Sequence, residues 1–282
     1  MIYHKLLHYS RKFSNRFFLF EELSRLQKLS ALPHARSSAL YWQSLRRPSQ
    51  AEDWIPLHRF IGHLGPLVLL DIGANIGDFT LDFAKNFKVK HAYCFEPTPS
   101  THAKLRERLD SSGLSATTLN QAVSTKRQRI PFKIYASSTL NSMYAYVAEL
   151  THTNERPEPL DVIEVESGPI SKAMIQAEGD IFLKIDVQGM EADVAIACLD
   201  ILDRCAAVLV EVSFLPEYEG TTPSFSSVAS TLLDSDLYPV FFHEYGDSSS
   251  LYAVERDVLF VRRDLLSRAF DSNLAHPPLP PR

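Results

Sequence analysis

Cysteine is scarce in this 282-residue chain, which has only Cys94, Cys198 and Cys205. The number is odd and no CxxC pair occurs, which argues against a disulfide framework and a structural zinc site and makes a reducing compartment, the cytoplasm, the default. Long apolar runs are missing as well. None approaches the ~18 residues a membrane span needs, and the start, MIYHKLLHYSRKF, lacks the apolar stretch and small-residue cleavage site of a secretory signal. Positive charge is unevenly distributed along the chain. Residues 1–47 hold nine Lys/Arg against Glu21 and Glu22, a balance of +7, and the total of 29 basic and 34 acidic residues then leaves 20 and 32, or −12, for the rest. So acidic a body is a poor polyanion binder, and it also lacks an Asn-Pro-Pro-Tyr-like tetrapeptide for a base amine and a Pro-Cys nucleophile. A nucleic-acid partner is therefore not expected; the basic amino-terminal segment is the only feature that favours one.

What is present is globular composition. With 45% hydrophobic and 22% charged residues, a chain of this length hides roughly 75% of its unfolded surface and needs no metal or disulfide to build a core. Three segments are expected: a basic helical extension at 1–47, one α/β domain at 48–270, and a proline-rich tail at 271–282. In the extension Phe13, Phe17 and Phe20 fall at i, i+4, i+7, with Leu23 and Leu26 continuing the stripe. Such a helix packs on the domain or on a second copy of the chain, giving a homo-oligomer; its basic face also suits an anionic membrane surface, and its Arg/Ser-rich composition an organelle transit peptide in a eukaryote. The tail, AHPPLPPR, is expected to stay extended; its Pro277, Pro280 and Arg282 have the spacing of an SH3-type ligand, though a frayed terminus accounts for them more simply.

The chemistry concentrates after Gly65-Pro66. Leu67–Leu70 is a short apolar run suited to a strand covered on both faces, followed by Asp71-Ile72-Gly73-Ala74-Asn75-Ile76-Gly77 and a helical pattern from Asp78. Strand, glycine turn and helix set backbone N–H groups toward a nucleotide-like ligand, and Gly73 and Gly77 are expected to admit it closely, having no Cβ to collide with it. A second strand, His91–Phe95, ends in Glu96-Pro97, 19 residues beyond Gly77. An acid there commonly accepts both ribose hydroxyls, although a solvated strand-end acid is the simpler alternative. The dinucleotide fingerprint GxGxxG is not met, so no pyrophosphate cradle is evident. Asp71 heading the loop would repel phosphate and favour a ligand with an ammonium and a sulfonium, which is S-adenosylmethionine rather than NAD.

Farther on, Asp180–Ile185 is a strand that turns at Asp186-Val187-Gln188-Gly189 into a helix opening near Met190. Lys184 and Asp186 share a face, and the strand Ala206–Phe214 brings Glu211 to the same carboxyl edge. Neighbouring buried acids are costly unless paired, protonated or liganded, so Asp186 and Glu211 are candidates for catalysis or for gripping a divalent cation; pairing with Lys184 and a helix-capping role form the bland alternative. Between the two halves, Arg129–Tyr135 is strand-like, Ser137–Ser142 is polar, and the loop at Thr151–Pro159 is long enough for acceptor recognition. His152 within it is either a base or an ordinary exposed histidine. An amphipathic helix at Phe225–Leu233 and strands at Leu237–His243 and Asp257–Arg262 close the chain.

Six stretches, in order, carry a resemblance: LLDIGANIGDFT, CFEPTPSTHAKLRERL, NQAVS at 120–124, LNSM at 140–143, FLKIDVQGMEADV and VEVSFLPEYEG. Over residues 66–262 the chain resembles the FkbM family of S-adenosylmethionine-dependent methyltransferases. The resemblance implies a class I, Rossmann-like methyltransferase fold: a seven-stranded, mostly parallel sheet with helices on both faces and one antiparallel strand near the edge. It implies that Asp71, Gly73, Ala74, Asn75 and Gly77 line the methionine end of the donor, and that Glu96 and Pro97 hold the ribose. Asn120, Gln121 and Ala122 would border the adenine, and Asp186 would lie beside the amino group and reacting centre. Where the family usually carries Glu-Gly after its second Asp-Val, this chain has Gln188-Gly189, which removes one candidate base. Relatives mostly methylate hydroxyls of sugars, glycolipids or glycosylated small molecules, so a carbohydrate or small-molecule acceptor is expected. An NAD(P)-dependent oxidoreductase on a similar sheet and an inactive scaffold subunit are the alternatives.

Overall fold

The computed structural model describes residues 54–136, 138, 141–145, 158–215, 218, 220–242 and 255–266, all within the compact unit Asp53–Arg282. The expected amino-terminal helix, the proline-rich tail and His152 lie outside the described residues.

Helix α1 (Trp54–Ile61) precedes β1 (Leu67–Ile72), α2 (Asp78–Asn86), β2 (Val89–Phe95), α3 (Pro99–Ser112), β3 (Ala116–Leu119), β4 (Ala122–Val123), β5 (Gln128–Ile134) and β6 (Asp161–Gly168). Then come β7 (Ile181–Ile185), α4 (Glu191–Ala197), β8 (Cys205–Ser213), α5 (Phe225–Asp234), β9 (Leu237–Phe242) and β10 (Glu255–Arg262). Seven strands form one sheet in the order β3-β2-β1-β7-β8-β10-β9. Its pairings are parallel from β3 to β8, and β10 runs antiparallel to both β8 and β9. This is the architecture the resemblance implies.

The apolar run of β1 becomes a strand because both of its faces are covered: all six residues are buried. Val68, Leu70 and Ile72 pack with α4 and α5 through Val194, Val228 and Leu232. Leu67 and Leu69 face the other way, toward Leu57 of α1, Phe83 of α2 and Leu105 of α3. Two cores of this kind are what a sheet layered between helices requires. The three cysteines are free and buried within these cores.

The chain runs outward through β1, β2 and β3, then returns to pair β7 against the other side of β1. Strand order reverses there, and the reversal opens a crevice at the carboxyl ends of β1 and β7. A second, three-stranded sheet of order β4-β6-β5 stands apart. Sequence patterning indicated β5 but not β6. The signal in Asp161–Gly168 is weak because half of the strand is exposed and only Val165, Ser167 and Gly168 are buried.

Candidate active site

The loop after β1 is built around two residues in the left-handed region, Gly73 at φ 82° and Asn75 at φ 47°, with Gly77 (φ 84°) capping α2. Packing within the protein already requires both glycines. A Cβ on Gly73 would stand 1.8 Å from the Asp186 carbonyl oxygen, and one on Gly77 would meet Leu105 Cδ1 at 2.8 Å. The β7 turn and α3 occupy the space their side chains would take. The loop amides are also committed internally. Gly73 and Ala74 donate to the Phe95 carbonyl, both at 3.0 Å, and Gly77 to the Ala74 carbonyl at 2.8 Å. Asn75 donates its N–H to Glu96 Oε2 at 3.1 Å. These amides form no phosphate cradle, in keeping with the missing third glycine.

Asp71 also departs from expectation. It is wholly buried, pointing to the α2 side, where Thr80 Oγ1 donates to it at 2.6 Å. Its register partner across β1 and β7 is Lys184, whose Nζ lies 3.8 Å from Asp71 and 2.9 Å from Asp186 and also stands over the Phe79 ring. Burial raises the Asp71 pKa, and Lys184 and Thr80 pull it back. Asp71 therefore acts on the crevice through Lys184 instead of lining it with open charge.

Glu96 ends β2, nearly buried, with each carboxylate oxygen already holding one backbone amide: Oε2 takes Asn75 N–H, and Oε1 takes Thr98 N–H at 2.8 Å. The Thr98 side chain also hydrogen-bonds this carboxylate, and of its roughly four acceptor positions one remains for a ligand hydroxyl. Burial raises its pKa against the pull of these amides. Asn120 Nδ2 donates to the carbonyls of Glu96 and Pro97, both at 2.9 Å, so Asn120 braces the β2 end from the loop that leads through Gln121 to the buried Ala122 of β4.

On the other side of the crevice, Asp186 follows β7 with more than a third of its side chain exposed. Burial pushes its pKa up, but Lys184, through charge and hydrogen bond, together with hydrogen bonds from Gln188 and Glu211, outweighs this and holds it below the usual value. Glu211 on β8 moves the opposite way. Burial, then the charges of Asp186, Glu255, Asp257 and Glu191, raise its pKa well above normal, and Asp257 is its register partner on β10. Two carboxyls with pKa values driven apart form an ionised acceptor beside a protonated neighbour. Between them sits the Gln188 amide, whose Nε2 is 3.3 Å from Asp186 Oδ1 and 3.0 Å from Glu211 Oε2. Among the described residues, no group of three or more His, Cys, Asp or Glu side chains is arranged to hold a metal ion.

Several participants escape sequence reasoning. Tyr218 donates its hydroxyl to Gln188 Oε1. Glu191 accepts the Gly189 N–H at 2.7 Å and is raised by burial to about 7. Ser142 donates to the Gln188 carbonyl at 2.7 Å. The Gln188-Gly189 departure and the LNSM stretch are the signals that could have led to them.

The fold is the class I, Rossmann-like methyltransferase fold. The family model described as the methyltransferase FkbM domain matches residues 71–248, more than half of the chain, which therefore belongs to that family. A crystal structure of methyltransferase FkbM from Methylobacillus flagellatus KT is 14% identical with a TM-score of 0.46, the match covering 71% of this chain and 45% of that one. This chain thus spans less than half the length of that protein. Precorrin-6y C5,15-methyltransferase from Geobacter metallireducens GS-15 is 11% identical with a TM-score of 0.38, covering 76% of this chain and 88% of that one. An rRNA methylase from Streptococcus thermophilus is 11% identical with a TM-score of 0.39, covering 74% and 94%. Comparison with curated proteins gives no match. Among the described residues no helix is long and apolar enough to cross a membrane.

Proposed function

We propose that the protein is an S-adenosylmethionine-dependent O-methyltransferase whose acceptor is a hydroxyl of a sugar, glycolipid or glycosylated small molecule. The observation that carries this reading is the ionised, accessible Asp186 carboxylate at the mouth of the β1/β7 crevice. The residues present suit the donor: Glu96 keeps an acceptor position for a ribose hydroxyl, and the amides of Gly73, Ala74, Asn75 and Gly77, engaged internally, offer nothing to a pyrophosphate. The acidic edge suits a cationic ligand.

Glu96, Asn75 and Pro97 hold the ribose end, Asn120, Gln121 and Ala122 border the base, and Asp186 faces the amino-acid end. When bound, the donor supplies a methyl group activated on a positively charged sulfur. A hydroxyl is a weak nucleophile and must lose its proton as the new bond forms. Asp186 Oδ1, which lies 3.3 Å from Gln188 Nε2, takes that proton, a contribution of about 10²–10⁴-fold. Lys184 keeps the carboxylate ionised beforehand, and Glu211, held protonated, adds no second charge to repel it. Alignment of the reactants contributes up to ~7–11 kcal/mol.

Calorimetric titration with S-adenosylmethionine and, separately, with NAD tests the donor. Binding of the methyl donor that disappears in Glu96→Ala is expected; NAD binding in its place overturns the reading. A panel of methyl glycosides and glycolipids then tests the acceptor. Asp186→Ala is expected to lose at least about 100-fold in turnover at saturating donor, and normal turnover in that variant would remove Asp186 as the base.

A further inference from the structure

Three non-glycine residues have a positive φ among the described residues: Asn75 (47°), Gln188 (56°) and Asp236. Two of them are the turning points of the site, one in the loop that meets Glu96 and the other in the turn that carries Asp186. A residue with a Cβ is strained in this region and stays there only when neighbours hold it. Both are held by serines from one short segment after β5. Ser138 Oγ donates to Asn75 Oδ1 at 3.1 Å, and Ser142 Oγ donates to the Gln188 carbonyl at 2.7 Å while accepting the Tyr144 N–H at 3.0 Å. Asn141 lies between them in sequence, accepting Tyr135 N–H at 2.9 Å and reaching Thr98 Oγ1 at 3.3 Å; Thr98 N–H in turn holds Glu96.

The segment is itself anchored. Ser142 exchanges backbone hydrogen bonds with Lys133 of β5 at 2.7 and 3.2 Å, and Lys133 Nζ donates to the Met143 carbonyl at 3.0 Å. The small sheet is thus the support from which both halves of the crevice are fixed. We propose that Ser138 and Ser142 are positioning residues with separate duties, Ser138 setting the donor-binding loop through Asn75 and Ser142 setting the acid-bearing turn through Gln188.

The ligand arm rests on the methyltransferase reading above; the exchange arm does not. Hydrogen exchange of the ligand-free protein is read at two amides, Asn75 N–H, which is bound to Glu96, and Gly189 N–H, which is bound to Glu191. Ser138→Ala is expected to speed exchange at Asn75 and leave Gly189 unchanged, and Ser142→Ala to do the reverse. Calorimetry then compares S-adenosylmethionine with its product, S-adenosylhomocysteine, whose sulfur is a neutral thioether. Ser138→Ala is expected to weaken both alike, by about three- to tenfold. Ser142→Ala is expected to spare the product and to cut the preference for the charged donor about fivefold, because the charge that Asp186 offers the sulfonium is displaced. Equal changes at both amides in either variant, no change at the amide each serine is assigned, or a Ser142→Ala loss shared equally by both ligands overturns the proposal. Ser142 is wholly buried; should its variant not fold, the exposed Ser138 still decides, since unchanged Asn75 exchange in Ser138→Ala overturns the division of duties. Wild-type protein that binds neither ligand overturns the donor assignment instead, and the exchange arm still judges the serines.

Discussion

Gly73 and Asp186 are in backbone contact across the crevice: the place a Gly73 Cβ would take is 1.8 Å from the Asp186 carbonyl oxygen. Asp186 N–H also donates to the Ile72 carbonyl at 3.1 Å. The loop that meets the donor and the turn that carries the proposed base therefore pack backbone to backbone at this point.

Gly73→Ala is accordingly expected to be severe, destabilising by roughly 3 kcal/mol or more, since a backbone oxygen must shift and φ is 82°. Gly77→Ala should cost less, because the atom it meets is the flexible end of Leu105. Thermal unfolding of the two variants checks the ranking; equal losses would show that the loop and turn relax independently.

Lys184 balances Asp71, which is wholly buried. Lys184→Met leaves that carboxylate without its cation and is expected to destabilise by about 3 kcal/mol. Burial already raises the Asp71 pKa, so the variant's deficit should narrow as pH falls and Asp71 takes up a proton. The double variant Lys184→Met/Asp71→Asn should recover most of the loss. Denaturant titrations at several pH values test all three statements.

Glu191 lies in the core with its pKa raised from 4.5 to about 7. A carboxyl held above its unfolded value binds more protons folded than unfolded, so it lowers stability progressively as pH rises from about 4.5 to about 7. The penalty at pH 8 is up to about 3 kcal/mol. Glu191→Gln keeps an oxygen for the Gly189 amide and should be more stable than the parent at pH 8 but not at pH 4; unfolding curves at both pH values decide.

Glu96→Gln supplies a further check on the donor site. It retains one oxygen for a backbone amide but exchanges the other acceptor for a donor, which opposes either Asn75 N–H or Thr98 N–H. Donor affinity is expected to fall by at least about tenfold, in calorimetry, with a smaller loss in Glu96→Asp.

How much of this was open to sequence reasoning differs between residues. Glu96 was, because an acid ending the second strand of a βαβ unit has its position dictated by the strand before it. Asp186 and Glu211 were, because each directly ends or nearly ends a buried apolar run. Asp71 was identified as part of the site, but its burial was not, since which side of β1 it faces and its pairing with Lys184 depend on register between strands more than a hundred residues apart in the chain. Gln188 showed only as a departure from a pattern; its amide lies between two acids because β7 and β8 are neighbours and Tyr218 orients it.

Local patterning thus determined the strands β1, β2, β5, β7 and β8 and the identity of the acids at the sheet edge, because apolar period and turn residues act over a few positions. Tertiary structure decided what each acid is paired with, which glycines are required by packing, and that the small sheet reaches across to hold both turns. Those outcomes depend on contacts between residues distant in sequence, whose partners no local pattern encodes.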